Sequence, residues 1–192
     1  MAGRGYAVFD TAIGRCGIVW GDAGISGVQL PEAREIETRR RLFRVFPDAR
    51  ELRPPAHVAL TIEGIVAALR GQTCDFSNAM LDMSGISKFN QSVYAYTRAI
   101  PRGEIRLYHE VAAALRASGA VHSVAQALAK NPFMIIVPCH RVLEAAGAAD
   151  KASQNGGVIS KRRLLTIEGT RLSAAKTLLD VLLPLDPPRL RP

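Results

Sequence analysis

The stretch Ile136-Val137-Pro138-Cys139-His140-Arg141-Val142 sets a thiol beside an imidazole and a guanidinium at the end of an apolar run. The thiolate is the reactive form of cysteine, and an adjacent base or positive charge brings a thiol from its ordinary value of about 8.5 into that form. An isolated cysteine more often packs as a small buried hydrophobe, so the surroundings decide which reading holds. Met134 to Val137 reads as a short buried strand that Pro138 stops, and the turn after it should expose Cys139.

Working outward, helical patterns flank this stretch on both sides. Tyr108 to Arg116, a turn through Ser118-Gly119, and Ala120 to Lys130 form a helix-turn-helix pattern. Before it, Ser87 is an N-cap for a helix running to about Ala99 and stopped by Pro101. After it, Ser160 caps a helix from Lys161 to Ile167 that Gly169 ends, and Leu172 to Leu183 reads as a last amphipathic helix before a Pro-rich, frayed terminus.

The N-terminal half has a different pattern. Tyr6 to Ile13, Cys16 to Trp20 and Ile25 to Leu30 read as strands around Gly-containing turns. Glu32 to Arg44 is a helical pattern with Ile36, Leu42, Phe43 and Phe46 as its apolar positions and Pro47 as its end. Its Arg39-Arg40-Arg41 run, balanced by acidic neighbours, is a solvated face. Ala56 to Leu69 is a further helix. This half is a small α/β support unit with no chemical constellation of its own, and no internal repeat or low-complexity segment occurs anywhere in the chain.

Charge separates the halves sharply. Of the formal +8 carried by 192 residues, residues 1–85 contribute nothing, and all of it lies in the half with the Cys-His pair. That asymmetry suits a polyanionic partner. With 48% hydrophobic residues the chain can build packed cores for one large or two small domains. Cys16, Cys74 and Cys139 are odd in number and far apart, which argues against a disulfide framework and for a reducing compartment. His57, His109, His122 and His140 show no zinc spacing, so no metal ligand set is read. Without a long apolar run or a basic-then-apolar leader, the expectation is a cytoplasmic protein with no membrane partner.

Several of these stretches, in order, resemble the O6-alkylguanine-DNA alkyltransferases. They are Phe89-Asn90-Gln91-Ser92-Val93-Tyr94, Ile100-Pro101-Arg102-Gly103-Glu104, Tyr108-His109-Glu110-Val111-Ala112, Val121 to Leu128, Asn131-Pro132, the Cys-His-Arg heptapeptide, Gly156-Gly157 with Lys161 to Leu165, and Glu168-Gly169. The resemblance implies an α/β N-terminal domain, ribonuclease H-like, over 1–82. It implies a mainly α winged helix-turn-helix domain over 86–172 that binds DNA and transfers the alkyl group, followed by a tail over 173–192. The implied activity is irreversible transfer of an alkyl group from guanine O6, with thymine O4 as a second target, to the protein's own cysteine. No cofactor is implied, and the partner is the minor groove of double-stranded DNA with the damaged base flipped out, bound by a monomer.

By this resemblance Cys139 is the nucleophile, His140 its base and Glu168 the group orienting the imidazole. Asn131 orders the turn, and Tyr108 protonates N3 of the leaving guanine. Val121, His122, Ser123 and Ala125 on the recognition helix meet DNA, with Lys130 and Arg141 beside them and Lys88 and Arg106 on phosphates. Arg141 keeps a second reading, a salt bridge across the domain interface. Val142, Asn155, Gly156 and Gly157 line the substrate loop.

Two features depart from the family pattern. His122 stands where an arginine fills the vacated base stack, and Ala125 replaces a glycine on the same helix. The loop from Gly147 to Gly157 is two residues longer and lacks the aromatic residue before Gly-Gly. Three readings therefore stand: a suicidal alkyltransferase, an alkyltransferase-like lesion binder, and a degenerate paralogue with a reactive thiol but impaired flipping.

Overall fold

The computed structural model describes residues 3–144 and 161–170. Asn155, Gly156, Gly157, Ser160 and the expected helix from Leu172 to Leu183 lie outside them. Strands β1 (Gly5–Thr11), β2 (Gly14–Gly21) and β3 (Gly24–Gln29) form an antiparallel meander, and β4 (Arg50–Glu51) joins β1 in parallel, giving the order β3-β2-β1-β4. Both hairpins close through two residues, Thr11 facing Gly14 and Gly21 facing Gly24. Gly24 is obligatory: its φ is +117°, and a Cβ there would lie 2.5 Å from the Met80 carbonyl oxygen.

Alternation along β2 explains why the sheet is covered on both faces. Cys16, Ile18 and Trp20 enter the main core, whereas Val19 joins Tyr6, Leu42 and Ala49 beneath helix α1 (Glu35–Val45). A Cβ on Gly17 would lie 2.7 Å from Leu42 Cδ1, so glycine lets α1 approach closely. The helix starts later than expected, and Ile36 and Phe43 are 51% and 38% exposed instead of facing the core. Thr38 takes the inward position because its hydroxyl accepts the Glu32 N–H. Arg39 pairs with Glu35 and Glu51, and Arg41 with Glu32. Surface pairs contribute about 0–1 kcal/mol each, less than the roughly 1.5–3 kcal/mol from burying Leu42, so packing holds α1 in place.

On the other face α2 (Ala56–Leu69) contributes Val58, Ile65 and Leu69 to a core continuous with that of the C-terminal half. That half contains α3 (Lys88–Arg98), capped by Ser87 accepting the Asn90 N–H, then α4 (Tyr108–Ala114) and α5 (Val121–Ala129), joined by a 3-10 turn at Ser118–Ala120. Tyr94 ties α3 to α5 by donating to the Ala127 carbonyl at 3.0 Å. Two short strands, β5 (Arg106–Leu107) and β6 (Val142–Leu143), pair in parallel, and α6 (Lys161–Ile167) follows.

The expected strand from Met134 to Val137 is instead a turn. Ile135 adopts φ +71°, and Val137 N–H reaches back to the Phe133 carbonyl. The cause is Asn131, fully buried, whose amide donates to the Val137 carbonyl and whose oxygen accepts the Phe133 N–H. The edge of β3 anchors this turn, with Val28 N–H donating to the Pro132 carbonyl at 2.8 Å. No helix among the described residues is long and apolar enough to cross a membrane.

Candidate active site

The Asn131 turn delivers the chain into a single 3-10 turn, Cys139–Arg141, packed against α6. Cys139 is 1% exposed, contrary to the expectation that the turn would present it to solvent. Its Sγ contacts the thioether sulfur of Met134 at 3.8 Å, with Cys139 as donor. Burial pushes the thiol up, against the pull of the Lys161 charge, the Asn131 side chain and its own backbone N–H. The thiol therefore rests protonated and needs a base at the moment it reacts.

That base is in place one residue on. His140 Nε2 lies 2.9 Å from Glu168 Oε1, while Nδ1 is buried with no hydrogen-bond partner. Burial lowers His140, outweighing the support of Glu168, and the charges of Arg141 and Lys161 lower it further, so the imidazole is neutral. With Nε2–H donated to the carboxylate, Nδ1 carries the free lone pair. Burial pushes Glu168 up, but the hydrogen bonds from His140 and Arg141 outweigh it and hold the carboxyl at about 2. The link from base to orienter is thus formed, and the link from thiol to base is open.

Arg141, expected beside the DNA contacts, is held inside the fold. Its Nε and Nη2 donate to the Glu168 carboxylate and its Nη1 to the Ile100 carbonyl. Both partners belong to the C-terminal half, so it does not bridge the two halves either. Tyr108 is brought to the site by the β5–β6 pair, which places Leu107 opposite Leu143. Lys161, in the sequence no more than the start of a helix, donates its Nζ to the Tyr108 hydroxyl at 3.2 Å and to the Val142 carbonyl at 3.0 Å. A sequence signal existed for it: Lys161 and Glu168 bracket α6 two turns apart, on one face.

On α5, His122 and Ser123 are exposed, Val121 and Ala125 half-buried, and Lys130 exposed just past its end. His122 Nε2 lies 2.9 Å from the Gln126 amide nitrogen one turn on. Lys88 is exposed, whereas Arg106 pairs with Glu104. Asn155, Gly156 and Gly157 fall outside the described residues, and their place in a substrate loop rests on resemblance. Among the described residues no three His, Cys, Asp or Glu side chains gather as a metal site.

Residues 88–170 match the family described as 6-O-methylguanine DNA methyltransferase, DNA binding domain. The methylated-DNA–protein-cysteine methyltransferase of Methanothermobacter thermautotrophicus is 36% identical over 156 residues, covering 81% of this chain and 80% of that protein. The protein of the same name from Mycobacterium tuberculosis is 37% identical over 126 residues, 66% of this chain and 74% of its own length. Among solved structures, the O6-methylguanine methyltransferase of Mycobacterium tuberculosis superposes with a TM-score of 0.67 at 28% identity, over 93% of this chain and 99% of that one. A structure from that organism in complex with DNA gives 0.66 at 28% identity, over 86% of this chain and 93% of that one. With a buried Cys139-His140-Glu168 sequence behind a helix-turn-helix, and relatives matching along most of its length, the chain belongs to the O6-methylguanine-DNA methyltransferase family.

Proposed function

We propose that this chain repairs O6-alkylguanine in double-stranded DNA, and O4-alkylthymine as a second substrate, by moving the alkyl group onto Cys139 once per molecule. The observation that carries the reading is a neutral, buried His140, fixed by Glu168 through Nε2 and free at Nδ1, immediately after the thiol. The Cys139 thiol turns from Met134 and gives its proton to Nδ1, directly or through one water. The S–C bond forms as the C–O6 bond breaks, and the electron pair passes into the purine. The Tyr108 hydroxyl supplies a proton to N3, so the base leaves neutral; the Lys161 ammonium beside it stabilises the tyrosinate left behind until solvent returns a proton to it and takes the one held by His140. Glu168 orients the imidazole and stabilises its cation.

The buried thiol suits a base extruded from the stack, at a cost of a few kcal/mol for unstacking. The exposed face of α5, with His122 and Ser123, is the surface assigned to the minor groove, and Val142 and the stretch through Asn155, Gly156 and Gly157 to the alkyl pocket. The support unit over 1–82, the transfer unit over 86–172 and the tail over 173–192 act together as a monomer in the cytoplasm. Three free cysteines suit such a reducing compartment.

Intact mass after incubation with a duplex holding one O6-methylguanine tests the reading, with Cys139→Ala as control. A Cys139-dependent gain of one methylene is expected. An unchanged mass, with Cys139 still labelled by free benzylguanine, would transfer the argument to the degenerate reading and place the defect in flipping.

A further inference from the structure

The C-terminal end of α6 carries Glu168, and its backbone carbonyls can be accounted for one by one. The Leu164 carbonyl accepts the Glu168 N–H. Gly169, at φ +74°, closes a Schellman turn in which its N–H bonds the Thr166 carbonyl and the Thr170 N–H bonds the Leu165 carbonyl. The Ile167 and Glu168 carbonyls remain, and a helix end leaves such groups to find partners elsewhere. Both are taken by one side chain: Arg102 Nη2 donates to Ile167 at 3.2 Å and Nε to Glu168 at 3.1 Å. A guanidinium is well suited here, since two donors in a fixed fork meet two adjacent carbonyls and its charge opposes the helix dipole.

The turn after α3, which carries Ile100 and Arg102, reaches Glu168 a second time. Arg141, which binds the carboxylate, is itself anchored on the Ile100 carbonyl. Glu168 is thereby held by its backbone through Arg102, which lies in the turn that ends α3, and by its side chain through Arg141, which is anchored on the Ile100 carbonyl of that turn. The end of α2 closes the arrangement, since a Cβ on Gly71 would lie 3.2 Å from the Ile167 carbonyl oxygen and 3.7 Å from Arg102 Nη2.

We infer that Arg102 is a positioning residue for the alkyl transfer, fixing the Glu168 carboxylate against His140 by completing the C-terminal cap of α6. The inference rests on the repair reading for its reaction and on the geometry alone for its site. The His140 tautomer and ring plane depend on Glu168, so loosening that end of α6 displaces the base relative to the thiol.

The test measures single-turnover methyl transfer for the full chain, Arg102→Ala, Arg102→Lys, Glu168→Gln and the double variant Arg102→Ala/Glu168→Gln. Thermal melts confirm that each is folded, and the pH profile of Cys139 labelling by iodoacetamide is followed on its peptide. Displacement of a catalytic group costs on the order of tenfold or more. Arg102→Ala should therefore be about tenfold slower with a displaced labelling profile, and Arg102→Lys should recover part of the loss. In the Glu168→Gln background the same change should cost nothing further, because the carboxylate that the cap positions is already gone. A parental rate and profile in Arg102→Ala, or a loss that multiplies with that of Glu168→Gln, would overturn the inference. If the unaltered chain transfers no methyl group, the repair reading fails separately, and the labelling profiles still decide the role of Arg102.

Discussion

Lys161 Nζ lies 3.2 Å from the Tyr108 hydroxyl and 5.5 Å from the centre of its ring, so one ammonium touches both the polar tip and the face of the same side chain. An ammonium donating to a phenol oxygen stands where negative charge would build on that oxygen during proton transfer to a leaving base.

Replacing Lys161 by Met keeps the stem and removes the charge. Transfer from O6-methylguanine duplex should slow by about a hundredfold, the low end of the range for general acid catalysis. Tyr108→Phe should lose a similar factor, and the double variant little more, because the two residues act as one unit. Single-turnover rates for the three variants measure this, and independent losses would separate Lys161 from the leaving-group step.

Acid stability should carry the signature of Glu168. Its carboxyl is held at about 2 in the fold against an ordinary 4.5. Below 4.5 the unfolded chain takes up a proton that the folded chain refuses. The stabilisation from this group is therefore complete above pH 4.5 and is lost as pH falls from there towards 2. His140 adds in the same direction at higher pH: burial lowers it, so its neutral form ceases to favour folding as pH drops below 6.5. Melting curves from pH 7 to 3 should fall first below 6.5 and again below 4.5, and Glu168→Gln should flatten the second fall.

Much of this arrangement is written locally, and the missing parts have identifiable causes. Ala56–Leu69 was readable to the residue because Pro55 and Gly71 punctuate it, and α3 because Ser87 caps it. The four-residue apolar run before Pro138 reads equally well as a strand; only the buried Asn131 amide, bonded across the turn, makes it a loop with Ile135 at positive φ. Strands β4, β5 and β6 have two residues each and exist only through distant partners. The outward-facing Ile36 and Phe43 follow from Thr38 finding a hydrogen bond inside, which no periodicity reveals. Cys139, His140 and Glu168 came from the motif, whereas Lys161 and Arg102 became visible only once α6 was placed.

Asn131→Ala would remove two hydrogen bonds at once, leaving the Phe133 N–H unpaired in a buried turn and the Val137 carbonyl with the Cys139 N–H alone. At about 1–3 kcal/mol for the orphaned N–H and about 1 kcal/mol for the second bond, the loss should be roughly 3 kcal/mol. For a chain of this size that lowers the melting temperature by about 10 °C. The same turn sets the Cys139 backbone, so transfer should fall even at temperatures where the variant is folded. A melting temperature within about 2 °C of the parent would show that the backbone holds the turn without the amide.

His122 is the sharpest prediction about DNA, because the exposed face of α5 around it, with Ser123 and Gln126, carries no permanent positive charge. Its Nε2 accepts from the Gln126 amide, which ties the ring to the helix and shortens its reach. His122→Arg supplies a permanent cation with a longer, planar head that can stack in the gap left by a flipped base or meet a phosphate. Duplex affinity should rise severalfold, and if the guanidinium meets a phosphate, the slope of log K against log salt should steepen by about 0.9. Transfer under subsaturating DNA should rise in step while the saturated rate stays level, since the chemistry at Cys139 is untouched. Fluorescence anisotropy across a salt series, with single-turnover rates on the same duplex, reads both quantities. Unchanged affinity in His122→Arg would remove this helix face from the contact and send the search for the flipping element elsewhere.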